Sequence, residues 1–188
     1  MMGSKLFPSL GLIIPVLLVA VLLAGYAEAR GVNQKPEAFL REAFAGQGQP
    51  PAPNMLWLTG ELKQAVAKIL QHPYHKLRIK YWRKDGRSVW VLDEIGKEKP
   101  ITTGIVINNG MIEYLKVLVF RESRGWEVEQ GFFTRQFNQA RLVDDLSLDR
   151  DIDGITGATL SVRAVDKLAR LALFLDRRIQ AEAGAGQP

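Results

Sequence analysis

The spacing of apolar residues changes along the chain from a helical period to an alternating one. Between Asn54 and Gln71, apolar residues recur every three or four positions, which predicts an amphipathic helix. A shorter helix is predicted over Pro36–Phe44. From Leu77 onward, apolar and polar residues alternate, as in a strand with one buried face. The pattern therefore predicts helices first and a sheet after them.

Two hairpins are predicted from their turn residues. Asp85-Gly86 separates the first alternating segment from a return strand at Val89–Leu92. Asn109-Gly110 separates Ile105–Ile107 from a long apolar strand at Ile112–Phe120. Asp-Gly and Asn-Gly favour tight hairpin turns because their residues tolerate positive φ. These segments predict an antiparallel sheet of four strands.

Two helices are predicted after the sheet. Phe132–Phe137 is typical of a short aromatic helix, and Leu160–Ile179 predicts the longest helix, with one apolar face. Strands followed by a helix that covers them predict an α+β fold, an antiparallel sheet of hairpins with a long C-terminal helix packed on it. Residues 181–188 are predicted to form a frayed tail.

Residues 1–29 have the pattern of an export segment. Lys5 precedes the almost entirely apolar stretch Leu6–Ala24, and Ala27-Glu28-Ala29 fits a small-x-small cleavage site. The apolar stretch is close to the ~20 residues that span a bilayer, so a cleaved signal peptide and a membrane anchor through residues 6–27 both stay open. Either alternative predicts a location in the bacterial periplasm or on the periplasm-facing inner membrane.

The amino-acid composition excludes several kinds of cofactor and argues against one class of partner. The chain has no cysteine, which excludes disulfides, Cys-ligated iron–sulfur clusters and covalently attached haem c. The net charge is +5, but the basic residues are dispersed, which argues against a nucleic-acid partner. A mildly basic surface suits an acidic redox partner or an anionic membrane surface.

Residues 30–53, rich in Gly, Gln and Pro, are predicted to be a linker that leads into a functional domain at residues 54–180.

The segment with the most specific chemistry is Asp153–Thr159, Asp-Gly-Ile-Thr-Gly-Ala-Thr, directly before the long helix. Gly157 and Ala158 carry little or no side chain, which would leave the Thr159 hydroxyl accessible. The first N–H groups of the helix lack intrahelical partners and favour a negative charge. Ser161 and Arg163 lie in the first turn and could add contacts. An ordinary helix start would explain Asp153 or Thr156, but it leaves the Gly-Ala-Thr order unexplained.

This segment resembles Asp-x-x-(Ser/Thr)-Gly-Ala-Thr, the site at which FMN-binding domains of bacterial respiratory proteins carry FMN as a phosphoester on the last threonine. The resemblance covers roughly Gly104 to Leu175. It includes the strand–turn–strand, the loop Glu122-Ser123-Arg124-Gly125 and the aromatic helix, in the family's order. It implies covalent FMN on Thr159. The attachment motif would be formed by Asp153, Gly154, Thr156, Gly157 and Ala158, and the isoalloxazine pocket would be lined by Glu122, Ser123 and Gly125.

The chain departs from the better-known family members at one point. The flavoprotein subunits of the sodium-pumping quinone reductase and its ferredoxin-dependent relatives carry Pro-Gly-Leu-Gly where this chain has Arg124-Gly125-Trp126-Glu127. This difference indicates a smaller, stand-alone relative. Arg124 could stabilise an anionic reduced flavin. Trp126 could stack on the ring or pack in the core, and the core is favoured because aromatic residues near strand ends usually pack.

The resemblance implies an exported electron carrier more than a stand-alone catalyst. FMN would be attached by an exported flavin transferase acting on FAD with Mg²⁺, and electrons would pass to or from a cytochrome, a quinone-linked protein or another redox protein. An alternative is a non-redox, membrane-associated assembly module that keeps the fold without flavin. A flavin-dependent reductase of a small exported substrate is a third hypothesis.

Two other patterns point to weaker sites. His72 and His75 are three residues apart, but Pro73 breaks any helix that would align them as metal ligands, so no metal site is predicted. The acidic run from Asp144 to Asp153 lacks the distal Glu of a calcium loop. It predicts a solvated loop, or a docking surface for the enzyme that attaches FMN.

Overall fold

The structure, a computed structural model, describes residues 31–185 of the chain. Five strands form one antiparallel sheet in which each strand pairs with its neighbours in the sequence. The strands are β1 (Asn54–Trp57), β2 (Arg78–Lys84), β3 (Arg87–Ile95), β4 (Pro100–Asn108) and β5 (Met111–Val119). The connections β2–β3, β3–β4 and β4–β5 are two to four residues long, which only antiparallel neighbours permit, so the predicted sheet of hairpins is confirmed.

Both predicted hairpin turns are present. Asp85 and Gly86 have φ values of 48° and 79° between β2 and β3, and Asn109 and Gly110 have φ values of 51° and 74° between β4 and β5. Two consecutive residues with positive φ are characteristic of the type I′ turn, whose twist matches that of the flanking strands. The residue types at these turns therefore determine where the sheet folds back on itself.

Four α-helices accompany the sheet in the described part of the chain. They are α1 (Pro36–Ala43), α2 (Gly60–Leu70), α3 (Gly131–Thr134) and α4 (Thr159–Ala185). A single 3₁₀ turn at Arg135–Phe137 extends α3. The helix α4 packs across β3, β4 and β5 on one face of the sheet, with α2 beside it. The α+β fold is confirmed, and α4 continues to Ala185 instead of ending at Ile179, so the first residues of the predicted frayed tail are helical.

The segment Asn54–Trp57 differs from the prediction, because it is strand β1 and not the start of a helix. It pairs with β2 in the register Leu56 to Ile79, and both of these side chains are buried in the core. The helical spacing of the apolar residues holds only from Gly60 onward, where α2 begins. Backbone pairing with a distant strand therefore outweighs the local pattern, and the sheet has five strands instead of four.

The opposite face of the sheet is covered by α1, so residues 36–44 do not behave as the predicted linker. Phe39 and Phe44 are fully buried against this face. The Phe39 ring lies on Gly104 of β4, so closely that a Cβ added at Gly104 would be 2.4 Å from a ring carbon. The guanidinium of Arg87 donates to the Ala43 carbonyl over 2.6 Å and so caps the end of α1. The helix predicted at Pro36–Phe44 is confirmed, and it belongs to the folded unit.

A polar network is buried between α4 and β3. Asp176 of α4 is only 1% exposed, and its carboxylate accepts hydrogen bonds from Ser88 Oγ at 2.6 Å and Gln180 Nε2 at 2.5 Å. Trp90 Nε1 donates in turn to Ser88 Oγ over 2.9 Å. Burial raises the pKa of Asp176, and the hydrogen bonds from Ser88 and Gln180 offset only part of that rise.

We expect Asp176→Asn to stabilise the protein at neutral pH. Because the folded-state pKa is raised, Asp176 contributes stability below its unfolded-state pKa, and this contribution is lost as the pH rises through the folded-state pKa. Asparagine keeps the shape without the buried charge. The variant should have a higher unfolding free energy than the parent at pH 7 and no gain near pH 3.5. Urea unfolding at both pH values measures this, with exposed Asp144→Asn as the control for net charge. A variant less stable than the parent at pH 7 would contradict the assignment.

Within residues 31–185, no helix combines the length and the apolar character needed to cross a membrane. The apolar stretch Leu6–Ala24 and the cleavage site after Ala29 lie outside the described residues. Export and the choice between signal peptide and anchor therefore stay predictions.

Candidate functional site

The segment Asp153–Thr159 forms the entry to α4. Its last residues make a tight turn in which the Ala158 N–H donates to the Ile155 carbonyl over 2.9 Å. Gly157 takes the third position of this turn with φ 83°, a conformation that side chains disfavour. The Gly that precedes Ala-Thr is therefore required by the backbone, and the turn leads the chain directly into the helix.

The N-terminus of α4 lacks a side-chain cap at its N-cap residue. The Ala158 carbonyl accepts the first intrahelical hydrogen bond, from the Val162 N–H at 2.9 Å, which makes Ala158 the N-cap. Ser, Thr, Asp or Asn usually occupy this position because their side-chain oxygens bind the free N–H groups, and Ala has no such oxygen. Thr159 follows as the first helical residue and is exposed. An accessible hydroxyl thus lies beside N–H groups and a helix dipole that favour an anion.

The second predicted segment, the loop after β5, is in contact with this helix start. Gly125 has φ 86° and is buried. A Cβ added at Gly125 would lie 2.7 Å from Ser161 Oγ and 3.3 Å from Ala158 Cβ. The fold therefore brings the Glu122–Gly125 loop and the attachment motif together, although 33 residues separate Gly125 from Ala158 (158 − 125 = 33).

Glu122 anchors the turn between β3 and β4. Its Oε1 accepts the backbone N–H groups of Lys97, Glu98 and Lys99 at 2.5, 2.6 and 3.0 Å. A Cβ at Gly96 would come within 2.8 Å of the same oxygen. Desolvation raises the pKa of Glu122, but the three N–H donors outweigh it, and the net shift is downward. Its carboxylate is therefore engaged by the β3–β4 turn, and a contact between Glu122 and a flavin ring stays a prediction.

The other loop residues face solvent. Ser123 and Arg124 are exposed, and Trp126 is 54% exposed at the start of a 3₁₀ turn over Trp126–Glu129. The prediction that Trp126 packs in the core is therefore wrong, because the chain turns there so that Val128 is buried instead. An exposed indole next to Gly125 is available to stack on a planar ring.

The aromatic helix is tied to the attachment motif by a residue that the sequence did not single out. Gln136 Oε1 accepts the Asp153 N–H at 2.7 Å. Phe133 and Phe137 anchor this segment in the core, with ring centroids 5.4 Å apart in an edge-to-face arrangement. Phe132 on the same helix is 57% exposed. A lone Gln within an aromatic run carries no local signal, so only the fold reveals this contact.

A cleft of about 380 Å³ lies one turn further along α4 from Thr159. It is bounded by the loop Ser147–Ile152 and by Val162, Arg163, Asp166 and Arg170 of the helix. A larger cleft of about 650 Å³ lies between α2 and the C-terminal half of α4. Its α4 lining begins at Phe174, about 22 Å along the helix axis from Thr159, so it belongs to a different part of the surface.

His72 of the histidine pair and Asp145 of the acidic run both make contacts that support the local structure. His72 Nε2 lies 3.0 Å from the buried Glu94 carboxylate, and Lys167 Nζ lies 3.7 Å from it. In the acidic run, Asp145 Oδ1 accepts the Ser147 N–H at 2.9 Å, which fixes the local turn. Across residues 31–185, no group of three or more His, Asp or Glu side chains is placed to hold a metal ion.

Comparison with known families agrees with the site. Residues 96–173 match the model of the FMN-binding domain. The matched range begins at the turn that Glu122 binds and includes the Glu122–Gly125 loop, the aromatic helix, the attachment motif and the first half of α4. No curated protein matches the chain. The family match supports a flavin-binding protein.

Proposed function

We propose that this protein is an exported electron carrier that holds FMN as a phosphoester on Thr159. The observation that supports this most is the position of Thr159 within the family match. Thr159 presents an exposed hydroxyl at the first residue of α4, next to an N-cap alanine, and its neighbours Ala158 and Ser161 contact Gly125 of the Glu122–Gly125 loop. The export of the protein rests on residues 1–29 alone.

The residues around Thr159 fit a phosphate group. An Ala at the N-cap costs a helix about 1 kcal/mol relative to Ser or Asp, because the free N–H groups lose their acceptor. A phosphodiester on the Thr159 oxygen would supply an acceptor and a negative charge at that same helix end. A Cβ added at Gly154 or Gly157 would meet no atom within 4 Å, so the motif leaves open space beside the hydroxyl.

FMN accepts and donates one or two electrons, so it can connect two-electron donors with one-electron acceptors. The chain would tune that chemistry through groups near the ring. Trp126, exposed next to Gly125, would stack on the ring, and Arg124 would stabilise an anionic reduced form. Because Thr159 and Trp126 both face solvent, the site suits exchange of electrons with another protein better than a closed substrate chamber.

The proposal is tested by the intact mass and in-gel fluorescence of the exported protein, produced with and without an active flavin transferase. We expect a mass increase equal to FMN less one water, and fluorescence that survives denaturation, only with the active enzyme. An inactivated transferase is the matched control, and the N-terminus in the same spectrum reports cleavage after Ala29.

Two outcomes would contradict the proposal in different ways. A yellow native protein that loses its flavin on denaturation would reject the covalent linkage and retain flavin binding. A colourless, unmodified protein beside an active transferase would favour the assembly module without flavin.

A further inference from the structure

We propose that the surface formed by Lys97, Lys99, Arg124 and Trp126, which we call the basic face, docks an acidic redox protein. This inference rests on the proposed electron-carrier function and specifies its partner. The three cations are exposed, and Trp126 is 54% exposed. The partner would present carboxylates around its own redox centre.

The β3–β4 turn holds two of these cations in a fixed place. The Glu122 carboxylate accepts three consecutive backbone N–H groups of this turn, at Lys97, Glu98 and Lys99. Hydrogen bonds to a charged acceptor are about twice as strong as those between neutral groups. The lysine side chains extend from an anchored backbone, so their positions are specified more closely than those of cations on a free loop.

The same loop connects the cations with the attachment site. Glu122, which binds the turn, is three residues before Gly125, a span of at most about 11 Å. Gly125 packs against Ser161 and Ala158 at the start of α4. A protein that docks on the basic face would therefore lie beside the Thr159 end of α4.

The cations of the basic face are exposed and available to a partner, with the carboxylates of Glu98 and Glu127 among them. Lys97 Nζ lies 3.6 Å from the Glu98 carboxylate, but both side chains are strongly exposed, at 72% and 68%. Exposed pairs of this kind contribute little to stability and exchange readily for a partner's carboxylate. The Glu122 carboxylate keeps its negative charge, but its Oε1 is directed at the three backbone N–H groups of the β3–β4 turn. Complementary charge of this kind mainly raises the association rate, which suits a short-lived electron-transfer complex.

The pattern of the basic face favours a protein over an anionic membrane. Glu98 is exposed between the two lysines, and Glu127 follows Trp126 directly. A uniformly anionic bilayer would be repelled by these carboxylates, whereas a protein surface can match alternating charges. Trp126 is of the residue type most enriched at the energetic centres of protein interfaces.

The test compares mitochondrial-type cytochrome c with its succinylated derivative, which carries the same haem on an acidic surface. The flavinylated protein is first reduced with dithionite and freed of excess reductant. Each reduced flavin then gives one electron to each of two ferric haems, which become ferrous. Stopped-flow absorbance follows haem reduction at increasing ionic strength. We expect a faster reaction with the succinylated form, slowed by salt, and a tenfold or larger loss of that rate in Lys97→Glu/Lys99→Glu at low salt.

The matched control is Lys68→Glu/Lys80→Glu, which makes the same change in net charge at exposed lysines of α2 and β2. This variant should retain most of the rate with the succinylated cytochrome. Urea unfolding of each variant verifies that the fold is unchanged. Equal losses in the two double variants would mean that net charge, and not the basic face, steers the partner, and would overturn the inference.

A binding measurement separates this inference from the proposed function. Thr159→Ala, which cannot carry the flavin phosphoester, is titrated with the succinylated cytochrome, and haem quenching of tryptophan fluorescence reports association. We expect salt-sensitive binding that Lys97→Glu/Lys99→Glu weakens about tenfold. If the cytochrome binds but the wild-type protein carries no flavin, only the electron-carrier function is rejected. The same variant is also sedimented with phosphatidylglycerol vesicles, at a salt concentration where the succinylated cytochrome does not bind. Cosedimentation under these conditions would overturn the choice of a protein partner.

Discussion

We expect the Thr159→Ala variant to carry no covalent flavin, even when an active flavin transferase is present. The substitution removes the oxygen to which the phosphate would be bound, so the loss should be complete. Thr159 is exposed at the first position of α4, and alanine is the better helix former, so the fold should be unaffected. The unfolding free energy should change by no more than about 0.5 kcal/mol. Intact mass and in-gel fluorescence measure the flavin, and urea unfolding measures the stability.

Two neighbouring substitutions make this result specific. Thr159→Ser keeps the hydroxyl at the same backbone position and should retain covalent flavin. Thr156→Ala removes a second exposed hydroxyl from the same motif, and any gain of the FMN mass in this variant excludes Thr156 as the acceptor. If Thr159→Ala still gained the mass of FMN less water, another side chain would be the acceptor, and the role assigned to the start of α4 would be wrong. If Thr156→Ala lost the flavin while Thr159→Ala kept it, the acceptor would lie three residues earlier, at Thr156.

The features that the sequence predicted correctly depend on residues close together in the chain. Asp85-Gly86 and Asn109-Gly110 specify their turns through their own φ preferences, and no distant contact is needed. The start of α4 is similarly local, because Gly157 supplies the positive φ that directs the chain into the helix at Thr159. The attachment motif could therefore be located to within one residue of its helix.

The features that were missed depend on contacts between distant segments. β1 is a strand because it pairs with β2, which lies beyond α2 in the sequence. The position of Glu122 is determined by N–H groups about 25 residues earlier, and a glutamate in a loop gives no sign of such partners. Trp126 was expected in the core from its residue type, but the 3₁₀ turn that starts there places Val128 inside. The position of the motif at the start of α4 was thus accessible from the sequence, whereas the contacts that hold the site together required the fold.

Gly125→Ala is expected to have the largest effect on stability among the site variants. Gly125 has φ 86°, and a Cβ there would lie 2.7 Å from Ser161 Oγ and 3.3 Å from Ala158 Cβ. A side chain in this backbone region costs about 1–3 kcal/mol, and overpacking costs a similar amount. We therefore expect the unfolding free energy to fall by about 2–4 kcal/mol. Because the strain acts between the loop and the start of α4, the covalently flavinylated fraction should fall as well.

Gly110→Ala is the matched control for the backbone part of this cost. Gly110 has a similar φ of 74°, but a Cβ there would meet no atom within 4 Å. It should lose only about 1 kcal/mol and keep its flavin, so the difference between the two variants measures the packing of Gly125 against α4. The double variant Gly125→Ala/Ser161→Ala lacks the nearest atom, Ser161 Oγ. Adding Gly125→Ala to Ser161→Ala should therefore cost less unfolding free energy than adding it to the wild-type protein, which is the expected regain. Equal costs at Gly125 and Gly110, with no regain in the double variant, would mean that the loop does not press on the helix start. The loop would then not be what positions the attachment residue.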